Sequence, residues 1–298
     1  MSEHFLHPEP THSVWDRSLE PRLHIASHDV VHVYCQDASG GQVHPAMTLA
    51  EYQGIDRTRI HSLTGPIWVQ DAEPGDVLEV EVVATHHYGW GWSSVVPGLG
   101  FLKDRFAEPY LFQWTFDDDV TRSLAPAVVP VRPFYGVMGV ARAEEGTFRT
   151  RPPGNFGGNL DVRELCAGAK LYLPVYTPGA LFSCGDGHAA QGDGEVCING
   201  IECPLDATLR FRLHKNQPLS GPLVESTEGV APDLHGDAWV VVECGEDVAA
   251  AARNATSRMV DRLVALKLRL SQVVNEPVYT VSASINKKIL PPRQLFPA

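Results

Sequence analysis

The sequence predicts a mainly β (β-rich α+β) protein, a sandwich- or barrel-like strand assembly with long loops and one long C-terminal amphipathic helix. Three observations carry this. Short segments with a period of two recur along the chain, 26 Gly and 23 Pro punctuate them, and a single stretch keeps a helical period over several turns. Hydrophobic residues make up 44% and charged residues 20% of the 298, a balance that supplies a sizeable core. The chain reads as one catalytic-sized unit over residues 1–298, with room for two tightly packed β subdomains.

The strands follow in order. A turn at Gly75-Asp76 leads into residues 77–83, where Leu78, Val80 and Val82 alternate with Glu79 and Glu81, giving one dry and one wet face. Residues 208–214 repeat the pattern, with Leu209, Phe211 and Leu213 opposite Arg210, Arg212 and His214. Further strands are predicted at residues 30–36, 127–131, 171–175 and 238–243. Residues 85–115 contain Gly89-Trp90-Gly91-Trp92 and Pro97-Gly98-Leu99-Gly100 and are expected as a long ordered loop. Asp117-Asp118-Asp119 reads as a solvated turn. In residues 247–274 the apolar positions Ala252, Ala255, Met259, Leu263, Leu266, Leu270 and Val274 recur every three or four residues, with arginines elsewhere. Asp247 is the expected N-cap, and Asn275 to Pro277 the stop.

Charge and composition exclude several function classes. The formal net charge of −12 and the lack of a Lys/Arg run argue against a nucleic-acid partner. No segment approaches the roughly 20 apolar residues of a membrane span. The first residues, Met1-Ser2-Glu3-His4-Phe5-Leu6-His7-Pro8, lack a basic segment followed by an apolar one, so a secretory leader is not expected. Six cysteines, Cys35, Cys166, Cys184, Cys197, Cys203 and Cys244, show no C-x-x-C pair and read as reduced thiols of a cytoplasmic protein.

The densest polar cluster is Ser183-Cys184-Gly185-Asp186-Gly187-His188-Ala189-Ala190-Gln191-Gly192-Asp193-Gly194-Glu195. Apolar runs flank it, Gly179-Ala180-Leu181-Phe182 before and Val196-Cys197-Ile198 after, which predicts a connection between two strands. Its glycines leave the backbone bare for close approach to a ligand. Asp186 and His188 are suitable metal ligands, with Glu195 or Asp193 as general base. An oxygen-rich structural ion loop and a plain turn are the competing readings. In Pro152-Pro153-Gly154-Asn155-Phe156-Gly157-Gly158-Asn159-Leu160-Asp161, Asn159 is placed to donate to a carbonyl and Asp161 to ligate a metal, the two sharing a face if the chain is extended; a hairpin turn is the plainer reading. A Cys184 nucleophile paired with His188 is conceivable, although neighbouring carboxylates raise a thiol's pKa. His61 and Asp37 are outlying site candidates, for each of which a satisfied structural polar residue is the better reading. Neighbouring His86 and His87 face opposite ways on a strand and make no site.

Several separated blocks together resemble the acetamidase/formamidase family. They are Thr64-Gly65-Pro66-Ile67 running into Ala72-Glu73-Pro74-Gly75-Asp76, then Gly89-Trp90-Gly91-Trp92 with Pro97-Gly98, Pro133-Phe134-Tyr135-Gly136-Val137-Met138-Gly139-Val140-Ala141, Gly157-Gly158-Asn159-Leu160-Asp161, and residues 185–195. They span about residue 12 to about residue 290 in the family's order; the last block is the specific one, and Gly-Trp-Gly-Trp leans toward acetamidase-like members. The resemblance implies a β-dominated fold, hydrolysis of short aliphatic amides to carboxylate and ammonia, a divalent metal such as zinc, and a homo-oligomer. Its functional segments map onto Asn159, Asp161, Asp186, His188, Gln191, Asp193 and Glu195. On this reading Asp186, His188 and Asp161 hold the ion, Glu195 moves the proton of a metal-activated water, and Asn159 or Gln191 stabilises the oxyanion. Trp90, Trp92 and Phe134 are expected to wall a pocket for a methyl or hydrogen substituent. The competing functions are a Cys184-dependent amidase and a non-catalytic small-molecule binder on the same scaffold. The stretch from Glu276 to the C-terminus is less typical of the family.

Overall fold

Alternation of apolar and polar residues becomes alternation of buried and exposed side chains in two packed sheets. The computed structural model describes residues 1–117, 119–226, 238–245 and 247–265, and the backbone alone of 280–285 and 294–295. The strands begin with β1 (Glu3–Leu6), β2 (Val14–Trp15), β3 (Leu23–Ile25), β4 (Val30–Cys35), β5 (Leu63–Val69) and β6 (Val77–His87). Then come β7 (Trp90–Val95), β8 (Tyr110–Thr115), β9 (Val120–Thr121), β10 (Val129–Pro130), β11 (Phe134–Gly139), β12 (Phe148–Arg149) and β13 (Gly157–Asn159). The series ends with β14 (Lys170–Pro174), β15 (Phe182–His188), β16 (Leu205–His214), β17 (Leu223–Ser226), β18 (Ala238–Gly245), β19 (Thr280–Ile285) and β20 (Gln294–Leu295). Two α-helices are described, α1 (Leu49–Gln53) and α2 (Val248–Ala265).

Nine strands pair in the order β1-β4-β16-β6-β14-β17-β18-β19-β20, and five in the order β13-β11-β15-β5-β3. Leu78, Val80, Leu171, Leu209 and Phe211 from the larger sheet share one buried cluster with Ile67, Phe134, Met138 and Phe182 from the smaller. Phe182 meets Phe211 edge to face, ring centroids 5.2 Å apart. This is the face-to-face packing of a β-sandwich, driven by removal of two apolar faces from water. On the outer face of the larger sheet, Glu81 lies opposite Arg210 in the β6–β16 register and pairs with it at 2.6 Å, while His214 reaches Glu79 at 2.6 Å. The Glu and Arg/His positions of the sequence pattern thus become cross-strand pairs.

Helix α2 buries Ala251, Ala255, Met259 and Leu263, and the last three form a second buried cluster with Leu223 and Val241. The buried stripe starts at Ala251, not Ala252. Asp247 caps the helix, its Oδ1 accepting from the Ala249 N–H at 2.9 Å. Arg258, expected to face water, reaches back to Glu243 Oε1 at 2.6 Å and to the Gly221 carbonyl at 2.7 Å. Leu266, Leu270, Val274, the expected stop at Asn275, Asp118 and the tail from Glu276 lie outside the described residues, apart from the β19 and β20 backbone. No helix among the described residues is long and apolar enough to cross a membrane.

Three expectations are corrected. Residues 85–115 are a loop only between 96 and 109: β6 runs on to His87, and β7 and β8 form an antiparallel hairpin on either side of that loop. Both faces of that hairpin are partly covered, so no clean period of two shows in the sequence. Residues 127–131 yield only the two-residue β10, paired with β9. Residues 183–188, expected in a connection, belong to β15, a strand buried at all seven positions.

Truncating Phe211 to Ala, at the centre of the contact between the sheets, is expected to destabilise the fold by about 3–5 kcal/mol. Denaturant unfolding followed by circular dichroism measures this, and a loss below 1 kcal/mol would show that the sheets do not depend on that contact.

Candidate active site

Strands β11 and β15 run antiparallel, with Phe134 opposite His188, Tyr135 opposite Gly187 and Val137 opposite Gly185. In that register Gly136 lies opposite Asp186. A Cβ at position 136 would stand 2.8 Å from Asp161 Oδ1, 2.8 Å from Asp186 Oδ2 and 3.0 Å from His188 Cε1, so only glycine leaves room for the three side chains. The Gly136 carbonyl accepts from the N–H groups of Leu160 at 2.9 Å and Asp161 at 3.1 Å, which brings the end of β13 against the cluster.

Asp161 and Asp186 both have left-handed backbone, φ 49° and 59°. Outside glycine this region is sparsely populated, and Asp is among the residues that tolerate it. At Asp186 it breaks the strand's alternation; at Asp161 it turns the chain beyond β13, so Asn159 and Asp161 are not related by simple strand periodicity.

After His188 the chain makes an excursion and returns. The Ala189 N–H donates to Ile201 O at 2.8 Å, the Ile201 N–H to Ala190 O at 2.9 Å, and the Cys203 N–H to Gly187 O at 2.7 Å. This closure sets Glu202 opposite His188. His188 Nε2 lies 3.1 Å from Glu202 Oε1, 3.6 Å from Asp186 Oδ1 and 3.9 Å from Glu195 Oε1. His61 Nε2 sits 3.8 Å from Asp186 Oδ2. Ligand atoms of Asp161, Asp186 and His188 lie within 4.8 Å of one another, and so do those of His188, Glu195 and Glu202.

Gln191 fixes the imidazole. Its Nε2 donates to the Asp161 carbonyl at 2.8 Å, which leaves Oε1 to face His188 Nδ1 at 2.9 Å. A carbonyl only accepts, so His188 Nδ1 carries the hydrogen, and neutral His188 presents a lone pair at Nε2. Nε2 and Glu202 Oε1 are then two acceptors at 3.1 Å, an arrangement that needs a proton or a cation between them. Asp161 Oδ1, Asn159 Oδ1, His61 Nδ1, His188 Nε2 and Glu202 Oε2 are all buried without a hydrogen-bond partner. Four of these atoms belong to the cluster residues Asp161, His61, His188 and Glu202, a concentration far from the rule for protein interiors.

Burial raises the carboxyl pKa of Glu195 and Glu202 to about 8 each, with neighbouring carboxylates adding to the shift. Burial and the Glu195 charge hold Asp161 well above the usual range. For His188, burial opposes the charged form, but Glu202 and Asp186 outweigh it and raise its pKa. Burial lowers His61, against the pull of Asp186. Asp186 is lowered because His61 and His188 outweigh its desolvation.

The sequence candidates separate accordingly. Asp161, Asp186, His188, Gln191, Glu195 and His61 come together. Asn159 ends β13, two residues before Asp161. Asp193 is not in the cluster: it lies on the exposed excursion, 3.0 Å from Arg163. Asp37 is a satisfied structural carboxylate, accepting from Ser39 Oγ at 2.7 Å, Gly41 N at 2.8 Å and Trp92 Nε1 at 2.8 Å. Phe134 abuts the His188 ring edge to face at 5.1 Å. Trp92 packs instead with Tyr52 in the interior, and Trp90 lines a separate cleft with Tyr34 and Tyr88. Cys184 is fully buried among core residues, its thiol raised by burial and its carbonyl accepting from Cys35 Sγ at 3.6 Å. Glu202 escaped sequence reasoning. Its only signal is a lone carboxylate between Ile201 and Cys203, which says nothing of the strand closure that aims it.

A cleft of about 660 Å³ borders the cluster, walled by Tyr110, Phe112 and Trp114 of β8 and reaching Gln191 and Gly200 at its inner end. None of the cluster carboxylates lines it.

The sequence profile of the acetamidase/formamidase family matches residues 2–145 and 141–289. The formamidase of Methylophilus methylotrophus is 28% identical over 245 residues, covering 63% of this chain and 60% of the relative. The chain spans 60–64% of the length of the curated relatives it matches. A solved acetamidase from Bacillus halodurans is similar with a TM-score of 0.79 and 29% identity, covering 90% of this chain and 88% of that one. A structure from Thermoanaerobacter tengcongensis, titled a predicted acetamidase/formamidase, gives a TM-score of 0.82 at 26% identity, covering 94% and 90%.

The proton inventory predicts a pH dependence for the metal-free protein. Glu195 and Glu202 titrate near 8 when folded against an ordinary 4.5, so the folded state binds more protons across that window and its stability falls as pH rises. The raised pKa of His188 acts in the same direction, while the lowered pKa of His61 opposes it only below about 6.5. The Tm of chelator-treated protein is therefore expected to drop between pH 6.5 and 8.5, and Glu195→Gln to flatten the drop. A Tm that rises over this interval would contradict the inventory.

Proposed function

This chain belongs to the acetamidase/formamidase family, and from that premise we propose that it hydrolyses small amides to carboxylate and ammonia at the His188 cluster, with a divalent ion, zinc foremost. The observation that carries the reading is the contact between His188 Nε2 and Glu202 Oε1, two acceptors once Gln191 has fixed the tautomer. The bare Gly136 backbone and the unpartnered oxygens of Asp161 and Glu202 fit the same occupant.

Asp161, Asp186 and His188 would hold the ion, one neutral imidazole nitrogen and two carboxylates being a suitable set for zinc. When bound, such an ion supplies Lewis-acid polarisation of the amide carbonyl and a water of lowered pKa. The remaining steps belong to the protein. Gln191 holds His188 Nδ1 and so orients the ring, as the outer partners of metal-binding histidines do. Glu195, 3.9 Å from His188 Nε2, takes the proton of the attacking water and delivers it to the departing nitrogen. Asn159 turns its amide N–H toward the oxygen that gains charge as the carbonyl carbon becomes tetrahedral. Glu202, at 3.1 Å from the same His188 Nε2, adds a carboxylate beside the positive charge. Phe134, edge-on to the imidazole, excludes water from that side.

Ammonia release from formamide, acetamide and propionamide, on protein of known metal content before and after chelation and metal restoration, tests the reading. Activity that disappears with the chelator and returns with one ion is expected. Metal-bound protein that binds amides saturably without releasing ammonia would leave a binding protein in place of an enzyme. Activity indifferent to chelation would remove the ion from the reaction.

Two substitutions probe the cluster itself. His188→Ala is expected to abolish turnover and metal content together, with the circular dichroism spectrum unchanged. Gly136→Ala pushes a methyl group against Asp161 and Asp186 and is expected to weaken metal affinity by about 10–100-fold, read by competition with a chromophoric chelator. Unaltered affinity would mean that the two carboxylates do not share an ion.

A further inference from the structure

We propose that the aromatic cleft beside the cluster seats the substituent of the amide, so that the substrate class is arylalkyl or medium-chain alkyl primary amides. This rests on the amidase reading of the His188 cluster. The cleft measures about 660 Å³, within the range of sites for ligands much larger than the four heavy atoms of acetamide. Three of its lining residues are tied to the cluster. Gln191 bonds His188, Gly194 precedes Glu195, and a Cβ on Gly200 would lie 3.2 Å from the His188 ring. An amide group beside these three residues and a chain running outward is the orientation this continuity permits.

The walls select for apolar groups. Tyr110, Phe112 and Trp114 present aromatic surface, with Leu124, Val129 and Ile201 beside them. The polar side chains among them are turned on one another. Trp114 Nε1 donates to Ser93 Oγ at 2.8 Å, and Asn199 is held by Ser94 N at 3.0 Å, Ser94 O at 2.9 Å and Cys197 O at 2.9 Å. Arg163, at the same cleft, is paired with Asp193 at 3.0 Å. Apart from Arg132, which also lines the cleft, the wall offers surface for a neutral, apolar substituent. Tyr110 and Leu124 are each about half exposed at the rim, so the cleft opens to solvent for entry.

The test compares kcat/KM for acetamide, butyramide, hexanamide and 3-phenylpropionamide, with calorimetric binding of 3-phenylpropionamide measured alongside. The expected result is a rise of about fourfold per methylene added within the cleft. Leu124→Trp at the rim and Val129→Trp on the wall should each lower kcat/KM for 3-phenylpropionamide by about tenfold or more and leave acetamide within twofold. Values that are flat or falling along the series, or variants that depress all amides equally, overturn the inference while the amidase reading stands. If no amide is hydrolysed, the amidase reading fails, and calorimetry still decides the cleft. Binding of 3-phenylpropionamide that is lost in Val129→Trp upholds the site, and absence of binding to the wild-type protein overturns it.

Discussion

Four carboxylates and two imidazoles buried within a few ångströms of one another are the constraint on which the structure turns. An ionised carboxylate loses several kcal/mol of hydration on burial unless a partner offsets it. Among the described residues, His188, His61 and Arg151 supply the positive charge that acts on Asp161, Asp186, Glu195 and Glu202, so the carboxylates outnumber the cations even when both rings are charged. The group must retain protons or gather a positive ion. Its neighbours are arranged so that either can happen at a fixed place, and on the proposed reading the exchange between the two would link metal, pH and stability.

The sandwich supplies the rigidity this needs. Strand β15 is paired on both sides, with β11 and with β5, and buried on both faces, so Asp186 and His188 project from a backbone that cannot relax away from the repulsion. Gly136 gives the space, and its carbonyl gathers Leu160 and Asp161 from a different part of the chain. The excursion after His188 adds Glu195 from its surface and Glu202 from its return. Residues far apart in sequence thereby converge on one imidazole, whose tautomer is set by a glutamine three positions along.

The same excursion joins the cluster to the cleft. Gln191, Gly194 and Gly200 line the cleft's inner end, while their neighbours or hydrogen bonds belong to the cluster. On the proposed reading, chemistry and substrate choice are divided between two kinds of structure. Strand backbone fixes the reacting groups, and the β7–β8 hairpin with the excursion shapes the space beside them. Changes in hairpin side chains can alter that space without disturbing the buried charges.

Local pattern carried much of this in the linear chain. The period of two placed β4, β6, β14, β16 and β18, because one buried and one wet face leave an alternating trace. The three-to-four spacing placed α2 for the equivalent reason. The polar, glycine-rich segments marked Asp161, Asp186, His188, Gln191 and Glu195, since bare backbone next to ligating side chains is informative in itself. What the sequence could not express are relations across strands. The burial of β15 on both faces hides its periodicity, Glu202 has no local motif, and Trp92 and Asp193 look as site-like as the residues that cluster. Composition and short-range spacing determined the fold class, and the separated motif blocks carried the resemblance to the family. Only the tertiary structure decided which side chains meet, because register and strand closure depend on contacts between segments that no local pattern encodes.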